Sequence, residues 1–176
     1  MSDRVAILLR AVNVGGRNKV PMAQLRTLCE RLGLRDVATY VASGNVACSA
    51  PSDLDATLRT LSSAIAEEFG VETPAIGRTH AELRAAVAAN PYTEFEPKLM
   101  HIVYLADVPE ASGAGELASR DFGDDLCTVI GREVYARYAD GSRNSKLSAT
   151  TMEKLLGVRG TARNWRTAQK LVELTA

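Results

Sequence analysis

Three polar, glycine-containing segments hold most of the residues that could bind or react. The first, LLRAVNVGGRNKVPM (Leu8–Met22), leaves an apolar run at Arg10 and passes two asparagines, two adjacent glycines, an arginine and a lysine before Pro21. Gly15 and Gly16 let the backbone turn sharply or approach a ligand closely. The segment leads into a predicted helix start, where free N–H groups and the helix dipole favour an anion. Arg10, Arg17 and Lys19 add positive charge, and Asn13 and Asn18 can donate and accept hydrogen bonds. The pattern matches neither G-x-x-x-x-G-K-[ST] nor G-x-G-x-x-G, so no nucleotide-loop motif backs the binding reading. The competing reading is a strand–helix turn with solvated charges.

The other two segments are GSRNSKLS (Gly141–Ser148) and GTARNW (Gly160–Trp165), each combining glycine, a hydroxyl and Arg-Asn ahead of a helix. Arg143, Lys146 and Arg163 are candidate phosphate or carboxylate partners, with Asn164 beside them. Asn144 and Thr161 also read as plain N-caps. Trp165, the only tryptophan, reads as core, with base stacking as the alternative. Ser43-Gly44-Asn45 alone is a turn, and Ser43 and Asn45 join the candidate set only if that turn faces the first loop. Ser145 and Lys146 are sequence neighbours and so do not form a Ser/Lys dyad. No Ser/His/Asp arrangement or isolated carboxylate pair stands out. A catalytic alternative rests on Lys19 or Lys146 as acid/base or charge stabiliser. No cofactor motif is present. The three cysteines and two histidines lack metal-ligand spacing, so no metal site is expected.

The elements that must position these loops follow from periodicity. Val5–Leu9 is continuously apolar, as in a strand buried on both faces. Met22, Leu25, Leu28 and Leu32 recur at helical spacing, with Pro21 in the first turn and Gly33 as the left-handed stop. VATYV (37–41) and VACS (46–49) read as a hairpin joined through ASGN, where Gly44 and Asn45 tolerate positive φ. Ser52 or Asp53 caps a helix striped by Leu54, Leu58, Leu61, Ile65 and Phe69, which Gly70 ends. ETPAIGR is an edge strand, since Pro74 cannot donate to a ladder. Ala81–Ala89 reads as a connecting helix. The order then returns: a strand at His101–Ala106, a helix at Pro109–Ser119 weakened by Gly113 and Gly115, and strands LCTVI and EVYARY joined through Gly131 and Arg132. A helix opened by Ser145 or Ser148 ends near Gly157. The last helix covers Ala162–Leu174 and replaces or follows the final strand.

Strand–helix–strand–strand–helix–strand is the ferredoxin-like, alpha–beta plait arrangement. The sequence therefore predicts an α+β fold of two tandem plaits packed together: residues 1–78, a helical connector at 79–98, and 99–176 with a C-terminal helix. The chain of 176 residues is long enough to bury the core this needs. Its net charge of zero hides an uneven distribution: residues 1–35 carry +5, residues 36–130 carry −10 and residues 131–176 carry +5. If the two basic ends meet, they make one positive surface. No run reaches the length of a membrane helix, and MSDRVAILLR has no signal-peptide pattern. Three widely spaced cysteines fit free thiols in a reducing cytoplasm.

In order along the chain, LLRAVNVGGRNKVPMAQL, YVASGNV, NPY, HIVYL, NSKLS and TARNW resemble the signature segments of a bacterial family, domain of unknown function 1697. The resemblance covers nearly the whole chain and implies two alpha–beta plaits in tandem; it implies no established activity. The chain departs from the family's pattern at Ala11, where glycine is common, and at Ala42, where glutamine is common. Combined with the loops above, this gives the expectation of a protein that binds a phosphate-bearing ligand, a nucleotide or a nucleic-acid backbone. The binding residues expected are Arg10, Asn13, Gly15, Gly16, Asn18, Lys19, Ser43, Asn45, Lys146, Arg163 and Asn164, converging in one basic concavity. The sequence sets no oligomeric state.

Overall fold

Val5–Leu9, the first apolar run, lies within a buried strand, β1 (Arg4–Leu9). The computed structural model describes residues 4–176. Pro21 precedes helix α1 (Met22–Arg31), and the chain leaves that helix through Leu32 and a left-handed Gly33. The hairpin strands are β2 (Ala38–Tyr40) and β3 (Asn45–Ser49). Asp53 caps α2 (Leu54–Phe69) by accepting from the Ala56 N–H, and Gly70 closes it in the left-handed region. Edge strand β4 (Ala75–Thr79) follows Pro74 and runs directly into α3 (His80–Ala88).

The second series repeats the order. It comprises β5 (Met100–Leu105), α4 (Ala111–Ser119), β6 (Leu126–Ile130), β7 (Glu133–Arg137), α5 (Ala149–Leu156), β8 (Gly160–Asn164) and α6 (Trp165–Leu174). The chain divides into two compact units, Met1–Arg84 with Leu171–Ala176, and Ala85–Lys170. The boundary thus falls inside α3 and again inside α6.

The fold is α+β. Its two four-stranded sheets run β2-β3-β1-β4 and β6-β7-β5-β8, with every pairing antiparallel. In the first unit, Val5, Ile7 and Leu9 face a core built with Leu25, Leu28 and Cys29 of α1 and Leu61 and Ile65 of α2. In the second, Val103 and Leu105 join Leu117 of α4 and Met152 and Leu156 of α5. The opposite residues of β1 and β5, including Leu8 and Tyr104, are buried too. This two-sided burial explains why the strands read as continuous apolar runs.

Register shows an internal equivalence that the sequence hides. Ile7 lies opposite Val46 and Gly77, and Val103 lies opposite Val134 and Ala162. On this alignment Arg78 and Arg163 occupy the same place, one residue after Gly77 and Ala162. Both are buried, with 1% and 4% of their surface exposed.

One local expectation needs correction, and two gain detail. Ala162–Leu174 is not all helix: Gly160–Asn164 is strand β8, and the helix begins at Trp165. The reason is pairing to β5, which draws Thr161 and Arg163 into the interior despite their polarity. Asn45 does not take positive φ; in that turn Val41 (48°) and Gly44 (84°) do. Gly113 is a packing requirement of α4 as well as a weak helix former: a Cβ there would lie 2.4 Å from the Leu155 carbonyl oxygen of α5.

Candidate functional site

The Arg10–Pro21 connection between β1 and α1 is a small hairpin of its own. Val14 pairs with Arg17, whose N–H donates to the Val14 carbonyl at 3.0 Å. Between them Gly15 and Gly16 take φ of 56° and 75°, the two positive values that a two-residue type I′ turn demands. One step down, the Asn13 N–H donates to the Asn18 carbonyl at 2.9 Å. This finger is held by its own asparagines. The Asn13 side chain accepts from Val20 N–H at 2.9 Å and donates to the carbonyls of Val20 (2.9 Å) and Ala42 (2.8 Å). The Asn18 amide donates to the Ala11 carbonyl at 2.9 Å.

Two residues outside the expected set complete the base. The Thr73 hydroxyl accepts from the Arg10 N–H at 3.0 Å and donates to the Arg10 carbonyl at 2.8 Å. Gly44 lies so close beneath the finger that a Cβ would meet Val12 at 2.7 Å and Leu9 at 2.8 Å. Thr73 lies far from the finger in sequence and no local pattern marks it. Gly44 was visible only as a turn residue.

The finger and the Ser43–Asn45 turn are therefore neighbours, joined by Asn13 to Ala42 and by the Leu9 N–H to the Gly44 carbonyl. Asn45 is buried and donates to Tyr40 carbonyl and to Ser43 Oγ, at 2.8 and 3.0 Å. Val14, Gly15, Gly16, Arg17 and Lys19 are exposed along the finger, Ser43 is exposed beside it, and Arg10 is half-buried at its root. Behind Lys19, α1 follows Pro21 with no side-chain cap and no acidic residue in its first turn. The N–H groups of Met22, Ala23 and Gln24 thus lack intrahelical acceptors.

The remaining expected residues belong to the second unit. Lys146 is exposed on the loop before α5. That loop leaves the end of β7 at Arg137, opposite Met100 at the start of β5. It lies at the other end of its sheet from Ala106–Glu110, the segment equivalent to the finger. Asp125 organises it: the carboxylate accepts from Ala139 N–H at 2.8 Å and from the Ser145 hydroxyl, which itself accepts from Leu147 N–H at 2.9 Å. Ser145 is thereby committed to the loop. A cleft of about 330 Å³ opens here, lined by Asp124, Asp125 and Asp140 with Asn144 and Ser145. Three carboxylates make it a poor place for a phosphate. Among the described residues, no group of three His, Cys, Asp or Glu could hold a metal ion.

Arg163 is buried on β8 and donates to Thr161 Oγ1 at 2.7 Å and to the Ala162 carbonyl at 2.8 Å. Burial lowers its pKa to about 10, with Tyr104 acting in the opposite sense, so it stays charged at neutral pH. Asn164 is exposed and caps α6 by accepting from the Thr167 N–H at 2.9 Å.

A family described as a protein of unknown function (DUF1697) matches residues 1–135. No curated protein matches the chain. Among solved structures, a conserved bacterial protein, SP0830 from Streptococcus pneumoniae, is similar over 98% of both chains, with a TM-score of 0.73 and 22% identity. At that identity the likeness concerns the fold. No helix among the described residues is long and apolar enough to cross a membrane. The match over residues 1–135 includes the finger, the Ser43–Asn45 turn and all of the first unit up to Arg84, and on it the chain belongs to the DUF1697 family.

Proposed function

We propose that this is a binding protein whose finger takes a phosphate of a nucleic-acid backbone, with a nucleotide phosphate as the smaller ligand of the same chemistry. One observation carries the reading: an exposed Gly15-Gly16 turn, exposed Arg17 and Lys19, and the uncapped start of α1 all lie on one short connection. Exposed N–H groups, a helix dipole and two cations are what an anion requires. An open finger, rather than an enclosed cavity, favours a polymer running past it. Arg10 and Ser43 flank the ligand in this reading. Asn13, Asn18 and Asn45 hold the loops in shape, Arg163 and Asn164 serve β8 and the start of α6, and Lys146 is an exposed lysine of the loop before α5.

We also propose that each unit is a ferredoxin-like plait. The matching strand orders, with a helix after the first and third strand of each, support this. A reducing, cytoplasmic setting is supported by free Cys29, Cys48 and Cys127.

Fluorescence anisotropy with a labelled single-stranded oligonucleotide tests the proposal. Affinity should fall steeply between about 50 and 200 mM salt, as counterion release requires. The double variant Arg17→Ala, Lys19→Ala should lose most of the binding and keep the wild-type melting curve. A saturable thermal shift with nucleotide but no oligonucleotide binding would assign the smaller ligand. Binding that ignores both salt and the double variant sinks the reading.

A further inference from the structure

The free edge of the second sheet is built to pair, and we propose that β6 pairs antiparallel with β6 of a second copy of this chain. The inference is independent of the finger. Edge strands usually carry protection such as extreme shortness, charge, proline or a bulge. The equivalent edge of the first unit has it: β2 is three residues long and bracketed by positive φ at Asp36 (53°) and Val41 (48°). The other two edges, β4 and β8, run straight into α3 and α6 and bury Ile76, Arg78, Thr161 and Arg163. Strand β6 has none of this. LCTVI holds no proline, glycine or charge, and Leu126 and Ile130 are exposed at 38% and 42%.

The register selects a two-fold partner. Gly131-Arg132 is a two-residue turn, with Ile130 opposite Glu133 and Thr128 opposite Tyr135. In such a hairpin Leu126, Thr128 and Ile130 direct their N–H and C=O groups to β7. Cys127 and Val129 therefore direct theirs outward. An antiparallel copy centred on Thr128 sets Cys127 of each chain opposite Val129 of the other, so each pair exchanges both hydrogen bonds. The same register sets Leu126 against Ile130, covering the exposed apolar row twice. Asp124 precedes the strand and Arg132 follows it, so the reversed copy brings opposite charges together at both ends. A strand that is self-complementary in hydrogen bonds, apolar contacts and charge fits a second copy of itself.

Sedimentation velocity on the full chain, up to about 1 mM, the weak end of specific association, should show a concentration-dependent dimer. Ile130→Lys and Leu126→Lys, at exposed positions, should each weaken it at least tenfold without moving the melting curve. Thr128→Cys places the new thiol opposite its copy, so mild oxidation should give a reducible crosslinked dimer, and Ser119→Cys on α4 should not. The crosslink reads the register directly, even where a lysine variant folds poorly. A chain that stays monomeric throughout that range, or a dimer indifferent to both lysines and not captured by Thr128→Cys, overturns the proposal.

Discussion

The two units share strand order and register and differ in what joins their strands to their helices. In the second unit, β5 reaches α4 through Ala106–Glu110 alone. In the first, the equivalent join is Arg10–Pro21, folded into a finger with positive φ at Ala11, Asn13, Gly15, Gly16 and Asn18. A short link satisfies the geometry, so the fold does not require the finger. Extra chain that costs backbone strain and conformational entropy, yet is tied down by Asn13, Asn18 and Thr73, is where function is expected. The units also make close contacts differently. In the first, Gly77 of β4 lies against the Leu54 side chain of α2, which can shift. In the second, Gly113 of α4 lies against the backbone of α5, which cannot shift cheaply.

The largest expected effect contrasts a core position of one unit with a loop position of the other. Leu61 is fully buried on α2 between the sheet and α1. Leu61→Ala should cost about 2–5 kcal/mol in urea melts. Lys146→Ala, at an exposed loop position of the second unit, should stay within about 0.5 kcal/mol. Equal losses would mean that Lys146 has a buried structural role.

The next effect probes the α4–α5 contact. Gly113→Ala must push against the Leu155 carbonyl, 2.4 Å from the new Cβ, and should cost about 1–3 kcal/mol. Gly115→Ala, with nothing within 4 Å on the same helix, should stabilise by up to about 1 kcal/mol through helix propensity. Opposite signs from one helix would establish that close backbone approach, not propensity, explains Gly113. Two stabilising substitutions would show that α4 and α5 have room to separate.

These cases show what was legible. Ser148 and Gly157 stood out as candidate ends of α5 because a capping hydroxyl and a left-handed stop are local signals. Ser148 accepts from Thr151 N–H, and Gly157 has φ of 66°. The Leu61 stripe was visible because helical burial repeats every three to four residues. The place of strand β8 is not legible locally, because its inward residues include Thr161 and Arg163, whose burial depends on pairing with β5 rather than on an apolar alternation. The clustering of the finger with the Ser43–Asn45 turn could not be read locally either, since it depends on the register of β1 with β3. The loop asparagines looked like ligand donors, but their bonds to the backbone only emerge once the finger is folded.

A smaller effect concerns the finger's strain. Ala11 has φ of 54°, where an L side chain is disfavoured, and the short link of the second unit contains no such residue. Ala11→Gly removes that penalty but gives the unfolded chain more freedom. The net should be a gain of up to about 1 kcal/mol, with the finger's shape kept. A loss would show that the Ala11 methyl holds the finger in place.

The smallest effect separates the units by pH. On the register alignment His101 of β5 stands where Val5 stands in β1. Its Nδ1 is buried with no hydrogen-bond partner, and its ring meets Tyr138 edge-on at 5.1 Å. Burial lowers its pKa below the ordinary 6.5, so the folded protein holds the ring neutral more strongly than the unfolded chain does. The unfolded state then binds more protons as the pH drops. The stability His101 allows is complete above 6.5 and falls as the pH passes through 6.5 towards the lower folded value. Val5 has no such dependence. Urea midpoints for the wild type should fall from about pH 7.5 to about pH 5.5. His101→Val, which makes the second unit match the first at this position, should remove part of that fall while leaving the midpoint at the higher pH nearly unchanged. If the variant falls as steeply as the wild type, His101 is not the titrating group.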